Sequence, residues 1–399
     1  MIKSIKILFL FLFTYIIGQI ILLFSLFYLN MNNIYIFEEN VFSHWNNSLI
    51  YFLPFFLINI IVFFLFSVNL NKNKIIQNSI KMKKSTFYLL ILFVIIILIL
   101  LFINLLISET PPLLQSGYIS RFDYLENTKL WFFLKIFGSP VAIIPIILGF
   151  IFLQNKKYAF IKNNLYIYIL VLLYFTYVIL IGQKFGAIQL GVLFFIIPMA
   201  THKILNNQVI ITFKIFLYSF VLSISVIFLI IHHYSNLSIV KEFGTPLEFI
   251  AYRIFALQGH TFWGTIENLE HFNSDLTFWW DGMHNTMRVI GLPGIENAIK
   301  RGVNFTAGYP VILIVVFPIS LTYIVFFILT LLYFYFIKLW IYNLYNINYI
   351  IYAYLSLYIG AFVGHGSLKY LLNFKIFILL FILLSIYFIT IKFKKGKNK

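Results

Sequence analysis

The sequence predicts an all-α polytopic membrane protein, and three observations lead to that class. Of the 399 residues, 62% are hydrophobic and only 10% are charged, which is far less charge than a soluble domain carries. Apolar runs near 20 residues recur along the chain, and a helix needs about that length to cross the hydrocarbon core. The first run follows Lys3 and Lys6 and lacks a small-residue cleavage site, so we expect a retained span.

The apolar runs define ten expected spans in one membrane-embedded domain that covers residues 1–399. The long eighth run contains Pro310 and Pro318, which predicts a tilt or a kink there. The expected spans are 7–29, 49–70, 86–107, 133–153, 164–181, 185–200, 210–231, 308–337, 347–364 and 374–391.

The distribution of charge predicts the orientation of these spans. With the N-terminus in the cytoplasm, ten spans place 18 basic residues and no acidic one on the cytoplasmic side. All 12 acidic residues then lie outside, together with the other 11 basic residues. This is the positive-inside pattern, so the net charge of +17 is a topology signal and gives no reason to expect a nucleic-acid partner.

Two external segments are long enough to predict function on the outer face. They are a smaller loop, 108–132, and a large loop, 232–307, which we expect to contain short helices and the active site. The four arginines of the chain all fall outside in this topology, whereas every cytoplasmic basic residue is lysine. A guanidinium binds phosphate through two parallel hydrogen bonds, so the arginines favour an anionic ligand, with surface ion pairing as the alternative. They are Arg121, Arg253, Arg288 and Arg301.

The large loop has a predicted helix start. Thr245–Glu248 reads TPLE, which is the pattern of a capping box with proline at the first helical position. The helical period from there places five residues near one face: Arg253, His260, Gly264, Glu267 and His271. Such a stripe could line a cleft, and it could equally be a solvated face.

Aromatic and basic residues farther along suggest further contacts. Trp263 is a candidate for packing on a sugar, although tryptophan is also common at membrane interfaces. His284 and Arg288 are four residues apart, which one helical turn would bring together. Gln183 and Lys184 lie in a glycine-flanked turn, GQKFG, where the lysine could meet a lipid phosphate or simply snorkel.

Several kinds of site are not predicted. Cysteine is absent, which excludes disulfides and thiolate metal sites. The sequence contains no P-loop, no GxGxxG and no HExxH. Cytoplasmic carboxylates are missing in the predicted topology, which argues against a cytoplasmic nucleotide-sugar enzyme. We therefore expect neither a metal nor a cofactor.

Three stretches resemble the Wzy-type O-antigen polymerases, a family of bacterial oligosaccharide repeat-unit polymerases. They are GQKFGAIQLGVLFFIIP at 182–198, RIFALQGHTFW at 253–263 and RGVNFTAGYPVILIVVFP at 301–318. The number of spans and the large external loop agree with the family along essentially the whole chain. The resemblance implies the class of multi-span glycosyltransferases that act on lipid-linked sugars.

The resemblance implies a reaction at the outer face of the bacterial inner membrane, with both termini in the cytoplasm. A glycan is transferred en bloc from undecaprenyl pyrophosphate to the terminal sugar of a new lipid-linked unit, and a chain-length regulator is a possible partner beside the bilayer. Arginines would stabilise the leaving pyrophosphate, and a carboxylate or histidine could take the hydroxyl proton. The expected catalytic residues are Arg253, His260 and Glu267. The expected substrate-binding residues are Gln183, Lys184, Arg288, Arg301, Gln258, Trp263, His284 and Arg121.

Other membrane functions remain alternatives. An O-antigen ligase shares the class and the topology, and RIFAL resembles an arginine-x-x-x-leucine element of that family, but its histidine motif is not evident. A lipid-linked oligosaccharide flippase should carry charged residues within its spans and small external loops, which is the opposite of this pattern. A membrane O-acyltransferase needs a catalytic histidine near the membrane, and no such motif stands out.

Overall fold

The fold was analysed in a computed structural model of the whole chain. The structure describes residues 19–27, 45–68, 84–114, 124, 127–129, 143–158, 164–181, 185–206, 228, 231, 235, 245–248, 251, 257–269, 276–289, 295–300, 311–365, 372 and 374–395. Every regular element in these ranges is helical, which confirms the all-α class for the described part of the chain.

The helices are numbered here in chain order, and a 3-10 turn, Pro112–Leu114, follows α3. Their bounds are α1 19–27, α2 Trp45–Val68, α3 Lys84–Ile107, α4 Ile143–Tyr158, α5 Leu165–Leu180, α6 Phe185–Leu205, α7 Leu257–Glu267, α8 Leu276–Trp280, α9 Gly282–Val289, α10 Ile295–Lys300, α11 Val311–Val316, α12 Ile319–Tyr342, α13 Asn348–His365 and α14 Phe374–Lys395.

Among the described residues, three helices are long and apolar enough to cross a membrane. The qualifying stretches are Ser48–Phe66 in α2, Lys84–Ile107 in α3 and Ile319–Tyr342 in α12. Large apolar side chains point outward along all three, such as Leu57, Leu92 and Ile328. In water such surfaces would drive association, whereas lipid solvates them. The structure thus has the character of a membrane protein, and the expected spans 7–29 and 210–231 fall largely outside the described residues.

The helices pack into one bundle with aromatic contacts between neighbours. Helix α12 contacts α2 on one side and α13 on the other, and α4 contacts α3, α5, α6 and α13. The Phe55 ring meets the Phe326 ring edge-on at a centroid distance of 5.0 Å, and the Phe66 ring stacks on that of Phe334 at 5.9 Å. Because both residue numbers rise together in these pairs, α2 and α12 run parallel.

Three connections meet at one end of the bundle, which we call the turn end. The backbone carbonyl of Tyr345, between α12 and α13, accepts a hydrogen bond from Gln154 Nε2 at 3.2 Å. The hydroxyl of Tyr345 lies 2.7 Å from His202 Nδ1, at the end of α6. Asn155 and Asn164 join the end of α4 to the start of α5 by a 2.7 Å bond. Side-chain hydrogen bonds therefore hold the turn end together.

The opposite end, which we call the loop end, carries α7 to α11. Helix α7 contacts α2 and α11, and α8 and α9 also contact α11. The start of α12 is tied to the start of α2 by a 3.2 Å bond from the Tyr323 hydroxyl to the Tyr51 carbonyl. Helices α7, α8 and α9 of the large loop are thus packed against helices of the bundle.

The expected kink in the eighth run is a complete break. Helix α11 ends at Val316, Pro318 has an extended backbone with φ −52° and ψ 146°, and α12 begins at Ile319. The Thr322 hydroxyl donates to the Leu313 carbonyl at 2.8 Å, and the same carbonyl accepts from the amide of Phe317 at 3.0 Å. The Thr322 hydroxyl also lies 3.1 Å from the Phe317 carbonyl. Side-chain contacts of this kind can satisfy backbone groups at a break within lipid.

Candidate functional site

Helix α7 holds the longest buried stretch in the described part of the large loop. Residues 261–266 are all buried, so no face of this stretch is left to solvent. The ring of Phe262 meets that of Phe52 on α2 edge-on at 5.7 Å. A helix that is buried all round belongs to the core of a bundle. Gly264 is the one residue of the predicted stripe within 261–266, and its burial argues against a solvated face at that position.

A glycine allows α7 to approach α1 closely. The amide of Gly259 donates to Ser25 Oγ at 2.7 Å. A Cβ at Gly259 would lie 2.7 Å from Ser25 Oγ and 2.8 Å from the backbone nitrogen of Leu26. Only glycine allows this approach, because a larger side chain would meet backbone atoms that cannot rotate away. Gly259 and Ser25 therefore fix the depth of α7 in the bundle.

The predicted site residues on α7 are placed as follows. The side chain of Trp263 is only 2% exposed, so a sugar could reach it only from within the bundle. Glu267 ends the helix, and its Oε1 atom is buried with no hydrogen-bond partner among the described residues. Gln258 and His260 lie on α7, with their side chains outside the described part. Glu267 is thus a carboxylate at the end of α7 whose Oε1 is shielded from water.

The capping box is confirmed. The amide of Thr245 donates to Glu248 Oε2 at 2.7 Å, and the amide of Glu248 donates to Thr245 Oγ1 at 3.2 Å. These are the two reciprocal bonds of that motif. The hydrogen bond from the Thr245 backbone lowers the pKa of Glu248. Residues 246–248 are helical, so a helix starts where the sequence predicts it, eight residues before Arg253.

Helix α9 and the residue before it bring three ionisable side chains to the loop end. Gly282 starts the helix, and a Cβ there would lie 2.5 Å from Ile312 Cγ2 on α11. Trp279, just before it, meets the Phe317 ring edge-on at 5.1 Å, and Met287 is 1% exposed. These contacts seat α8 and α9 on α11. The opposite side of α9 then presents Asp281, His284 and Arg288.

The histidine and the arginine of α9 take separate acidic partners. His284 Nδ1 lies 2.9 Å from Asp281 Oδ2, and the two side chains are 13% and 29% exposed. Arg288 Nε donates to Glu296 Oε1 on α10 at 2.6 Å, with both side chains more than two-fifths exposed. Arg288 Nη1 also donates to Asn285 Oδ1 at 2.8 Å. The predicted helical spacing of His284 and Arg288 is correct, and the alternative of surface pairing also applies to Arg288.

The Arg288–Glu296 pair predicts a pH-dependent link between α9 and α10. The hydrogen bond from Arg288 and its positive charge lower the pKa of Glu296 below the ordinary value. A lowered pKa means that the pair stabilises the fold above the ordinary glutamate range and loses that contribution as the pH falls through the lowered value. Amide hydrogen exchange of residues 295–300, corrected for intrinsic rates, should therefore accelerate on acidification. Glu296→Gln should remove most of that pH dependence, and an unchanged dependence would contradict the assignment.

Sequence reasoning missed two partners that organise this site. Asp281 precedes His284 by three residues, which is a helical spacing that could have been recognised. Ser25 could not have been found, because it lies 234 residues from Gly259. The described residues contain no group of three histidine, cysteine or acidic side chains that could hold a metal ion. The remaining predicted residues, Arg121, Gln183, Lys184, Arg253 and Arg301, lie outside the described residues.

Comparison with known proteins gives one match. Residues 277–380 match the model of DUF6418, a family of unknown function. No curated protein and no solved structure matches the chain. The matched segment runs from α8 into α14 and so contains Asp281, His284, Arg288 and Glu296, whereas α7 precedes it.

Proposed function

We propose that the protein polymerises lipid-linked oligosaccharide repeat units at the outer face of the bacterial inner membrane. The reaction would transfer a glycan from undecaprenyl pyrophosphate to a hydroxyl of the next lipid-linked unit. The observation that carries the proposal is the position of Arg288. Its guanidinium is exposed on a helix anchored to the helices of the bundle, at the end opposite the described lysine-rich turns.

The charges of the described residues support the orientation that this reaction requires. Lys203 and Lys338 lie beside the turn end, as do Lys156 and Lys157 on the last turn of α4. Glu248, Glu267, Asp281 and Glu296 belong to the large loop. Burial, and then the nearby charge of Glu109, raise the pKa of Tyr124, which lies near the far end of α5. The turn end is therefore the cytoplasmic end in the proposed ten-span topology, and the loop end faces outward.

Arg288 is suited to exchange its partner for a pyrophosphate. An exposed ion pair contributes little, with typical values of about 0–1 kcal/mol. A pyrophosphate offers more negative charge and can take two parallel bonds from the guanidinium. The free energy lost by displacing Glu296 would therefore be small compared with the free energy gained from the contact between Arg288 and the pyrophosphate. The charge on the pyrophosphate grows as it leaves, so the same contact would stabilise the transition state.

Arg253 keeps its proposed role as the first pyrophosphate ligand, with Arg301 and Lys184 as further ligands, and all three lie outside the described residues. The capping box starts a helix eight residues before Arg253, and α7, which contacts α2 and α11, follows four residues after it. In the proposed reaction a resting substrate meets these cations at the level of the lipid headgroups. Positioning and charge stabilisation suit a leaving group that is already good.

The function is tested by complementing a host strain that lacks its repeat-unit polymerase but builds the matching repeat unit. We expect the wild-type chain to restore long polysaccharide. A host that still carries a single repeat unit on lipid A core would overturn the proposal. Restoration instead in a strain that lacks its ligase, and carries no repeat unit on that core, would assign the ligase function. Restoration in a flippase-deficient strain, which accumulates intermediates inside, would assign transport.

Arg253→Lys tests the guanidinium directly in the same strain. Lysine keeps the charge but loses the planar fork, so we expect at least about a tenfold loss of long-chain product, equal to about 1.4 kcal/mol at the transition state. Lys203→Arg is the matched control, because it alters a cation at the turn end and should leave the product unchanged. Full polymer from Arg253→Lys at the wild-type protein level would remove Arg253 from the mechanism.

A further inference from the structure

We infer that Asp281 and His284 form the acid–base pair of the loop end, with His284 as proton acceptor and Asp281 as its positioning residue. This inference rests on the proposed function, since it names the group that takes the proton in that reaction. The sequence alone predicts His260 or Glu267 as the proton acceptor. The assignment of His284 rests on the geometry of α9.

The contact between the two side chains has the arrangement that general bases use. His284 Nδ1 lies 2.9 Å from Asp281 Oδ2. A carboxylate accepts a hydrogen bond and cannot donate one, so this contact places the imidazole proton on Nδ1. The lone pair of the neutral ring is then on Nε2, which is the atom that can take a proton. The carboxylate also stabilises the imidazolium that forms, as in other acid–base pairs of this kind.

The pair is held in place by packing that does not involve its own charges. Asp281 immediately precedes α9, and its carbonyl accepts from the amide of Asn285 at 3.0 Å, which closes the first helical turn. Gly282 contacts Ile312 on α11 so closely that any side chain at 282 would collide with it. Thr286 donates to the Gly282 carbonyl at 2.7 Å. A base fixed on a short, anchored helix is better positioned than one on an irregular loop.

The surroundings of His284 fit a group that meets a substrate. Its side chain is 13% exposed, so it is shielded from bulk water while still reachable. The charged group next to α9 is Asp281, and those on α9 and α10 are Arg288, Glu296 and Lys300. Helices α8 and α11 contain none. Arg288 is one helical turn from His284, so a single short helix presents both a proton acceptor and an anion ligand. Glycosyl transfer needs these two groups close together.

In the proposed step, the hydroxyl oxygen of the acceptor sugar forms a bond to the anomeric carbon of the donor, and the hydroxyl proton passes to Nε2 of His284. The bond from that carbon to the pyrophosphate oxygen breaks, and the lipid pyrophosphate leaves with the electron pair. The imidazolium then releases its proton to water. General base assistance of this kind typically contributes a factor of about 10² to 10⁴ in rate.

The inference is tested with purified protein in nanodiscs and a lipid-linked repeat unit as substrate. We expect Asp281→Asn to lower kcat at least about 10²-fold, because an amide donates to Nδ1 and moves the imidazole proton to Nε2. Asp281→Glu should recover a measurable part of kcat, and His284→Gln should match Asp281→Asn. KM should change much less than kcat, since the pair acts on the proton and not on binding.

Controls separate this pair from a purely structural one and from the proposed function itself. Thermal midpoints of the variants should stay close to that of the wild type, and Val289→Ala on the same helix should retain at least half of kcat. If the wild type polymerises the substrate and both His284→Gln and Asp281→Asn keep full activity, the assignment of the acid–base pair is wrong. No polymerisation by the wild type would overturn the proposed function first.

Discussion

Replacement of Gly259 by alanine is expected to destabilise the protein by about 3 kcal/mol and to abolish long-chain product. The added Cβ would lie 2.7 Å from Ser25 Oγ, 2.8 Å from the Leu26 nitrogen and 2.9 Å from the Ser25 carbonyl carbon. Two of these atoms are backbone, so α7 must move away from α1. Overpacking of this kind costs about 1–3 kcal/mol.

The hydrogen bond adds to that cost. If α7 moves, the buried amide of Gly259 loses its bond to Ser25, and an unpaired buried donor costs about 1–3 kcal/mol. Alanine recovers about 1 kcal/mol through its higher helix propensity. The sum favours a net loss of about 3 kcal/mol, which is a large part of the stability of a typical domain. Product should fall too, because α7 follows Arg253 by only four residues.

The measurement is thermal or denaturant unfolding in detergent, together with polysaccharide length in cells. Gly191→Ala is the matched control, because its Cβ would meet only the Phe175 and Pro145 side chains, at 3.1 to 3.4 Å. The higher helix propensity of alanine should offset the cost of these close contacts, so we expect the unfolding free energy of Gly191→Ala to stay close to that of the wild type. Ser25→Ala isolates the hydrogen bond and should cost about 1–2 kcal/mol. A Gly259→Ala protein as stable as Gly191→Ala would show that α7 does not dock on α1 in this way.

The bundle helices could be predicted from the sequence because their signals are local. The run 86–107 and the helix Lys84–Ile107 agree within two residues at the start and coincide at the end, and 347–364 agrees with Asn348–His365 to one residue at each end. Hydrophobic length alone decides such elements. The TPLE pattern is equally local, since its two hydrogen bonds join residues three apart. The two prolines predict a tilt or a kink in the eighth run, whereas the complete break also involves contacts of the Thr322 hydroxyl with the carbonyls of Leu313, Phe317 and Pro318.

The candidate site could be predicted only in part, because its long-range contacts leave no periodic signal. Glycine has a low helix propensity, so the sequence predicts a less stable helix around Gly259. In the structure, Gly259 is the residue at which the backbones of α7 and α1 meet. The stripe through Glu267 is defined by the polarity of its side chains. The burial of residues 261–266 depends instead on contacts with α1, α2 and α11 together. The Asp281–His284 pair was available from spacing alone. The spacing of His284 and Arg288 is also helical, but these two side chains bind different partners, Asp281 and Glu296.

Replacement of Trp340 by alanine is expected to have a similarly large effect at the opposite end of the bundle. Its side chain is 1% exposed, its ring stacks on Phe194 of α6 at 5.3 Å, and it lies 5.5 Å from the ring of Tyr349 on α13. Tyr349 in turn stacks on Phe150 of α4 at 5.4 Å. One tryptophan thus connects α12 to α6, and through Tyr349 to α13 and α4.

The size of this effect follows from packing and not from transfer out of water. Truncating a buried tryptophan costs about 3–5 kcal/mol in soluble cores. In a membrane bundle the unfolded helices remain in lipid, so the transfer part of that cost is largely absent and the lost dispersion contacts remain. We therefore expect about 3 kcal/mol, the lower end of that range. Tyr335→Ala, on the same helix but half exposed to lipid, is the control and should change the unfolding free energy by less than about 1 kcal/mol. Equal losses from the two variants would mean that α12 does not join α6 and α13 through Trp340, and the turn end would have to be held by its polar contacts alone.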